Sequence, residues 1–106
     1  MSEKNFQSRV KSFLDELPKA WFFKSNEVSV RGIPDYIGSV GGTFVALELK
    51  VSLNARSQSR KLQEFTLNKI GSTGAIGIFL APENWEAAKE MLIKLSNGEK
   101  YGSASQ

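Results

Sequence analysis

Apolar and polar positions follow different periods in different parts of the chain. Phe6, Val10, Phe13, Leu14 and Leu17 recur at helical spacing and Pro18 ends the run. A helix is therefore predicted over about Ser2–Leu17, with Ser2 and acidic Glu3 suiting its start. Trp21 to Arg31 is strand-like, with "VSV" alternating. Another strand is predicted from Asp35 to Gly38, then a turn around "SVGG" and a long strand from Thr43 to Val51, because Gly-Gly between apolar runs signals a hairpin. "SLNARSQS" is polar and reads as a loop. Leu62, Phe65, Thr66 and Ile70 mark a second helix with Gly71 as its C-cap. "AIGIFLA" is a short apolar run that reads as a buried strand. Pro82 opens a third helix carrying Trp85, Ala88, Met91, Leu92 and Leu95, and Asn97-Gly98 stops it. The order α-β-β-β-α-β-α, with no repeat, predicts an α/β fold built on a mixed sheet. Trp21, Phe22 and Phe23 are expected in its core.

Composition narrows the chemistry. The 106 residues suffice for one core, predicted as a single domain over residues 1–97 followed by a polar, frayed tail over 98–106. At 41% hydrophobic and 24% charged, the chain is globular in type. No apolar run approaches the ~20 residues of a membrane span, and "MSEKNFQSRV" lacks a signal-peptide core, so a cytoplasmic location is expected. There is no cysteine and no histidine. Disulfides, thiolate or imidazole metal sites, and histidine-based acid/base or triad chemistry are thereby excluded. Catalysis would need carboxylates, Lys, Arg, Tyr, Ser or a hard cation held by oxygen. A net charge of +3 and a pI near 9.3 are compatible with a polyanionic partner.

The informative stretch is "RGIPDYIGSVGGTFVALELK", Arg31 to Lys50. Along Thr43–Val51 the side chains alternate, so Phe44, Ala46, Glu48 and Lys50 share one face. Glu48 and Lys50 then point the same way, roughly 7 Å apart by strand rise. A two-residue turn at Gly41 and Gly42 puts Asp35 opposite Glu48. A four-residue turn puts it opposite Ala46, one diagonal away. Either even-length turn brings Asp35 and Glu48 to one face; an odd turn or a bulge separates them. Two adjacent carboxylates repel and tend to hold a proton, and a divalent cation relieves this. Mg²⁺ prefers one or two carboxylates, waters and phosphate oxygens, and Lys50 beside it could orient water or steady negative charge.

Pro34-Asp35 followed by Glu48-Leu49-Lys50 resembles the signature of the PD-(D/E)XK nuclease superfamily. The contexts "RGIPDYI" and "ALELK" resemble its VRR-NUC branch, including small phage and bacterial enzymes similar to Holliday-junction resolvases. The resemblance spans about Glu3 to Leu95, and the element order agrees. It implies a restriction-endonuclease-like core in which Asp35, Glu48 and the Leu49 carbonyl bind Mg²⁺ or Mn²⁺ and Lys50 is the catalytic lysine. It further implies a glutamate near the start of the first helix, where Glu3 shares the stripe of Phe6 and Val10, and a glutamine on the next helix. Gln63 fits by its spacing to Leu67 and Ile70, with Gln58 a weaker candidate. The implied activity is metal-dependent cleavage of DNA, branched or four-way in form. Two symmetric cuts then imply a homodimer.

Arg31, Lys50, Arg56, Arg60, Lys61 and Lys69 surround this segment in sequence and suit phosphate rather than base contacts. "GSTGAIG" has the glycines of a phosphate loop but follows a helix and enters a strand, the reverse of the order such loops need. Flap, single-strand or site-specific cleavage, and a non-catalytic DNA-binding module, are the alternatives to junction cleavage.

Overall fold

The computed structural model describes residues 3–25 and 32–99, with Glu3 by its backbone alone. Within them lie helix α1 (Glu3–Glu16), strands β1 (Ala20–Lys24), β2 (Tyr36–Val40) and β3 (Thr43–Leu49), and helix α2 (Arg60–Gly71). Strand β4 (Ile76–Leu80), a single 3-10 turn (Pro82–Asn84) and helix α3 (Trp85–Ser96) follow. The order α-β-β-β-α-β-α is the one predicted. Ser2, the "VSV" segment, Arg31 and residues 100–106 lie outside the described residues.

The sheet runs β1-β2-β3-β4. β1, β2 and β3 are antiparallel neighbours, while β4 lies parallel to β3. A parallel return requires a crossover, and α2 supplies it. Because strand side chains alternate, the sheet has two chemically different faces. Tyr36, Val40, Val45, Leu47, Ile76 and Leu80 point inward and pack with Phe6, Val10, Leu14, Trp85, Leu92 and Leu95 of α1 and α3. Edge-to-face contacts of Phe6 and Phe13 with the Trp85 ring join the two helices. The opposite, outer face carries α2, which packs over β4 and β3. It approaches closely because Gly77 lies beneath it: a Cβ there would meet the Leu67 carbonyl at 2.6 Å. That contact accounts for one glycine of "GSTGAIG" by packing.

The turn between β2 and β3 is Gly41-Gly42, with φ of 56° and 88°. Two positive φ angles define the two-residue turn whose twist matches a hairpin. Ser39 and Val40, expected in the turn, belong to β2 instead, and the pairing is Tyr36 with Leu47 through Val40 with Thr43. β3 stops at Leu49, two residues earlier than predicted.

Three other expectations are corrected. Trp21 and Phe23 are 67% and 44% exposed, and only Phe22 packs inward, against Tyr36. β1 is an edge strand, and α2 packs on the other half of the outer face, so alternate residues of "WFF" face solvent. β4 is also an edge strand: its ends are buried but its middle is half-buried. Gly71 is the last residue of α2 rather than its cap. Ser72 closes the helix through its amide to the Asn68 carbonyl, and the left-handed residue is Gly74, with φ of 92°. Among the described residues no helix is long and apolar enough to cross a membrane.

Candidate functional site

The two-residue turn decides the alignment left open by the sequence. One step beyond the Tyr36–Leu47 pair, Asp35 stands across from Glu48 on the outer face. The Asp35 carboxylate accepts a hydrogen bond from the Leu49 amide at 2.8 Å. In a strand the amide and carbonyl of one residue point to the same edge, so the Leu49 carbonyl also faces Asp35. The next amide, that of Lys50, turns the other way and donates to the Leu80 carbonyl of β4 at 2.8 Å.

Glu48 is buried, 8% exposed, beneath α2. Gln63, on the inward side of α2, donates through Nε2 to Glu48 Oε2 at 3.0 Å and accepts from Lys50 Nζ at 2.5 Å. One side-chain amide thus bridges the acid and the amine. Burial first, and the charge of Asp35 second, push the Glu48 carboxyl up to about 7, against the opposing pull of Lys50 and of the Asp35 amide.

Lys50 is also held from the side. Its amine lies 5.5 Å from the centre of the Phe79 ring, and the Arg60 guanidinium lies 4.6 Å from the same ring. Phe79 is there because β4 pairs in parallel with β3, with Phe79 opposite Glu48. Arg60 further donates to the Ala55 carbonyl at 2.7 Å and to Glu64 at 3.0 Å. It therefore braces the loop between β3 and α2. Across that loop, Glu83 accepts from the Ser52 hydroxyl at 2.5 Å and the Leu53 amide at 3.1 Å. The Ser52 bond holds the Glu83 carboxyl below its ordinary range. A cleft of about 440 Å³ lies here, lined by Leu53, Asn54, Arg56, Arg60 and Glu64.

Of the residues singled out in the sequence, Asp35, Glu48, Leu49, Lys50 and Gln63 come together. Arg60 lies next to them but is engaged by the loop. Arg56 and Lys61 are exposed, Lys69 sits in the last turn of α2, and Gln58 is an exposed loop residue. Arg31 and the Glu3 side chain lie outside the described residues. Among the described residues no group of three or more His, Cys, Asp or Glu side chains gathers. The Asp35–Glu48 pair nonetheless has the donor chemistry of a Mg²⁺ site. A carboxylate offers about four acceptor positions, so the bonds each makes to the protein do not exhaust it, and Mg²⁺ needs only one or two carboxylates.

Sequence reasoning missed Ser25, Phe79 and Glu83. Ser25 is buried at the end of β1. Its amide donates to the Asp35 carbonyl at 2.8 Å, and its hydroxyl donates to the carbonyls of Pro34 and, at 3.2 Å, Asp35. It pins the backbone from which the Asp35 side chain projects. No local pattern marks a serine ten residues upstream, because the contact is made across strands. Ser25→Ala is expected to lower stability by about 1 kcal/mol in a denaturant titration. If Asp35 acts as proposed below, it should also lower kcat, by up to ~10²-fold, with KM little changed.

No family model, curated protein or solved structure matches the chain.

Proposed function

We propose that this protein is a metal-dependent endonuclease of the PD-(D/E)XK kind, hydrolysing phosphodiesters in DNA. The observation that carries the reading is the Asp35–Glu48 rung with Lys50 joined to it through Gln63. In this reading Asp35, Glu48 and the Leu49 carbonyl hold Mg²⁺, or Mn²⁺ in its place. Such an ion, when bound, supplies charge neutralisation at phosphoryl oxygens and an acidified water.

The chain's own groups do the rest. Glu48 would hold such an ion in its ionised form. The Leu49 amide fixes the orientation of Asp35. Gln63 keeps the Lys50 amine beside the carboxylates, where it orients the attacking water or steadies charge growing on the phosphate. Phe79 confines that lysine from the side. By the same resemblance we assign branched or four-way DNA as substrate and a homodimer as the active form, acting in the cytoplasm.

The test incubates the protein with four-way, flap, linear and single-stranded DNAs in Mg²⁺ and in EDTA. Paired symmetric nicks confined to the four-way junction, absent in EDTA, are expected. Cleavage unaffected by EDTA overturns the mechanism, and no cleavage of any substrate makes the protein a binding module instead. Lys50→Ala should cut turnover by about 10²-fold at unchanged DNA affinity. A loss of affinity alone would make Lys50 a phosphate contact.

A further inference from the structure

The outer face of the sheet is only half covered. α2 packs over β4 and β3, and on the β1–β2 side the face carries Trp21, Phe23 and Phe44, exposed by 67%, 44% and 45%. The strand registers arrange them in rows. Trp21, Ser39 and Phe44 form one row, and Phe23, Ile37 and Ala46 the next. The row after that holds Asp35 and Glu48. Aromatic rings therefore lead along one face directly to the carboxylates.

We propose that this uncovered half is a stacking platform for bases left unpaired at the branch of the DNA strand whose phosphodiester lies at Asp35 and Glu48. The assignment deepens the nuclease reading and rests on it. Three features of the face select this occupant. First, its exposed apolar groups are chiefly flat rings, and every base offers a π-face to such a ring. Second, successive rows are two residues apart, or roughly 7 Å by strand rise. Bases within a duplex stack at ~3.4 Å along each strand, about half that spacing, so the rows match bases drawn apart rather than a paired helix. Third, no acidic side chain stands in the two aromatic rows, while exposed Lys19 lies just before the start of β1, two residues from Trp21, and can meet a backbone phosphate; Lys24, at the other end of the strand, lies on the opposite face over the Tyr36 ring. A second protein copy seated on these rings would stand over the approach to Asp35, which the proposed chemistry requires open.

The chain reports on this face by itself. Of its two tryptophans, Trp21 is exposed and Trp85 is buried, 4% exposed. In EDTA, where no strand is cut, a short oligothymidylate is expected to quench the emission of Trp21, and a duplex of equal length to do so far less. Binding of the same labelled single strand, followed by anisotropy, should weaken about tenfold in Trp21→Ala and in Phe23→Ala, and Trp21→Phe should keep most of the affinity. These side chains are exposed, so melting temperatures should stay near that of the parent chain and rule out unfolding as the cause.

Undiminished single-strand affinity in both alanine variants overturns the platform. So does a sedimentation result in which Trp21→Ala splits a dimer while leaving strand affinity unchanged, since the face then belongs to a second copy. The two readings fail separately. If DNA is cut in Mg²⁺ but the alanine variants bind as the parent does, the platform falls and the nuclease stands. If the strand stacks on Trp21 but no DNA is cut in Mg²⁺, the platform stands and the nuclease falls.

Discussion

Asp35→Asn and Glu48→Gln are each expected to lower Mg²⁺-dependent DNA cleavage about a thousandfold, the equivalent of several kcal/mol of transition-state stabilisation. Both substitutions keep the shape of the side chain. The asparagine oxygen can still accept from the Leu49 amide, and the glutamine oxygen from Gln63. What each loses is negative charge at the point where the two groups face each other. Both variants should still fold and DNA affinity measured in EDTA should change little, while single-turnover cleavage in Mg²⁺ should collapse. A variant that retains a tenth or more of parental turnover would remove that carboxylate from the mechanism.

The hairpin was the most legible part of the fold, for a physical reason. Gly41-Gly42 can take two positive φ angles without strain, and strand alternation is strict, so the turn length alone fixes which side chains face one another. The sequence left two even turn lengths open, and the paired Ser39 and Val40 decide for the shorter. Gln63 was legible through helix period: four residues before Leu67 and seven before Ile70, it had to share their inward face. What lies between elements distant in sequence was not legible. The exposure of Trp21 and Phe23 follows from where α2 comes to rest, and nothing within "WFF" records that position. Arg60 read as a free phosphate contact because its partner Phe79 reaches it only after β4 aligns in parallel with β3, and its bond to the Ala55 carbonyl depends on how the intervening loop turns back. Ser25 was invisible for the same reason, since its bonds cross from one strand to the approach of another.

The raised Glu48 carboxyl makes the site visible in stability as well as in activity. Its ordinary value is 4.5, and in the folded chain it stands at about 7. Between those values the folded state keeps a proton that the unfolded state has released, so stability falls as pH rises. The favourable contribution is complete below the lower value and lost once pH has passed the upper one. Its size is at most ~3.4 kcal/mol for a shift of that extent, and roughly 2–3 kcal/mol once screening by nearby solvent is allowed for. Chemical denaturation in EDTA should therefore show the parent chain losing about that much between about pH 4.5 and pH 8, over and above the background of the other groups. Glu48→Gln has no proton to release there, so it should lack this loss and be the more stable protein at the alkaline end. A bound divalent cation acts in the opposite sense, because it favours the ionised carboxylate. At about pH 8, Mg²⁺ at a hundred times its dissociation constant would restore ≈ 2.7 kcal/mol to the parent chain and much less to Glu48→Gln. Parallel pH profiles for parent and variant would mean that Glu48 is not held desolvated beside Asp35. A Mg²⁺ response equal in both proteins would place the cation elsewhere. The substitution expected to abolish cleavage is thus also the one expected to strengthen the metal-free fold, as follows if the carboxyl is kept in an unfavourable setting for the ligand it receives.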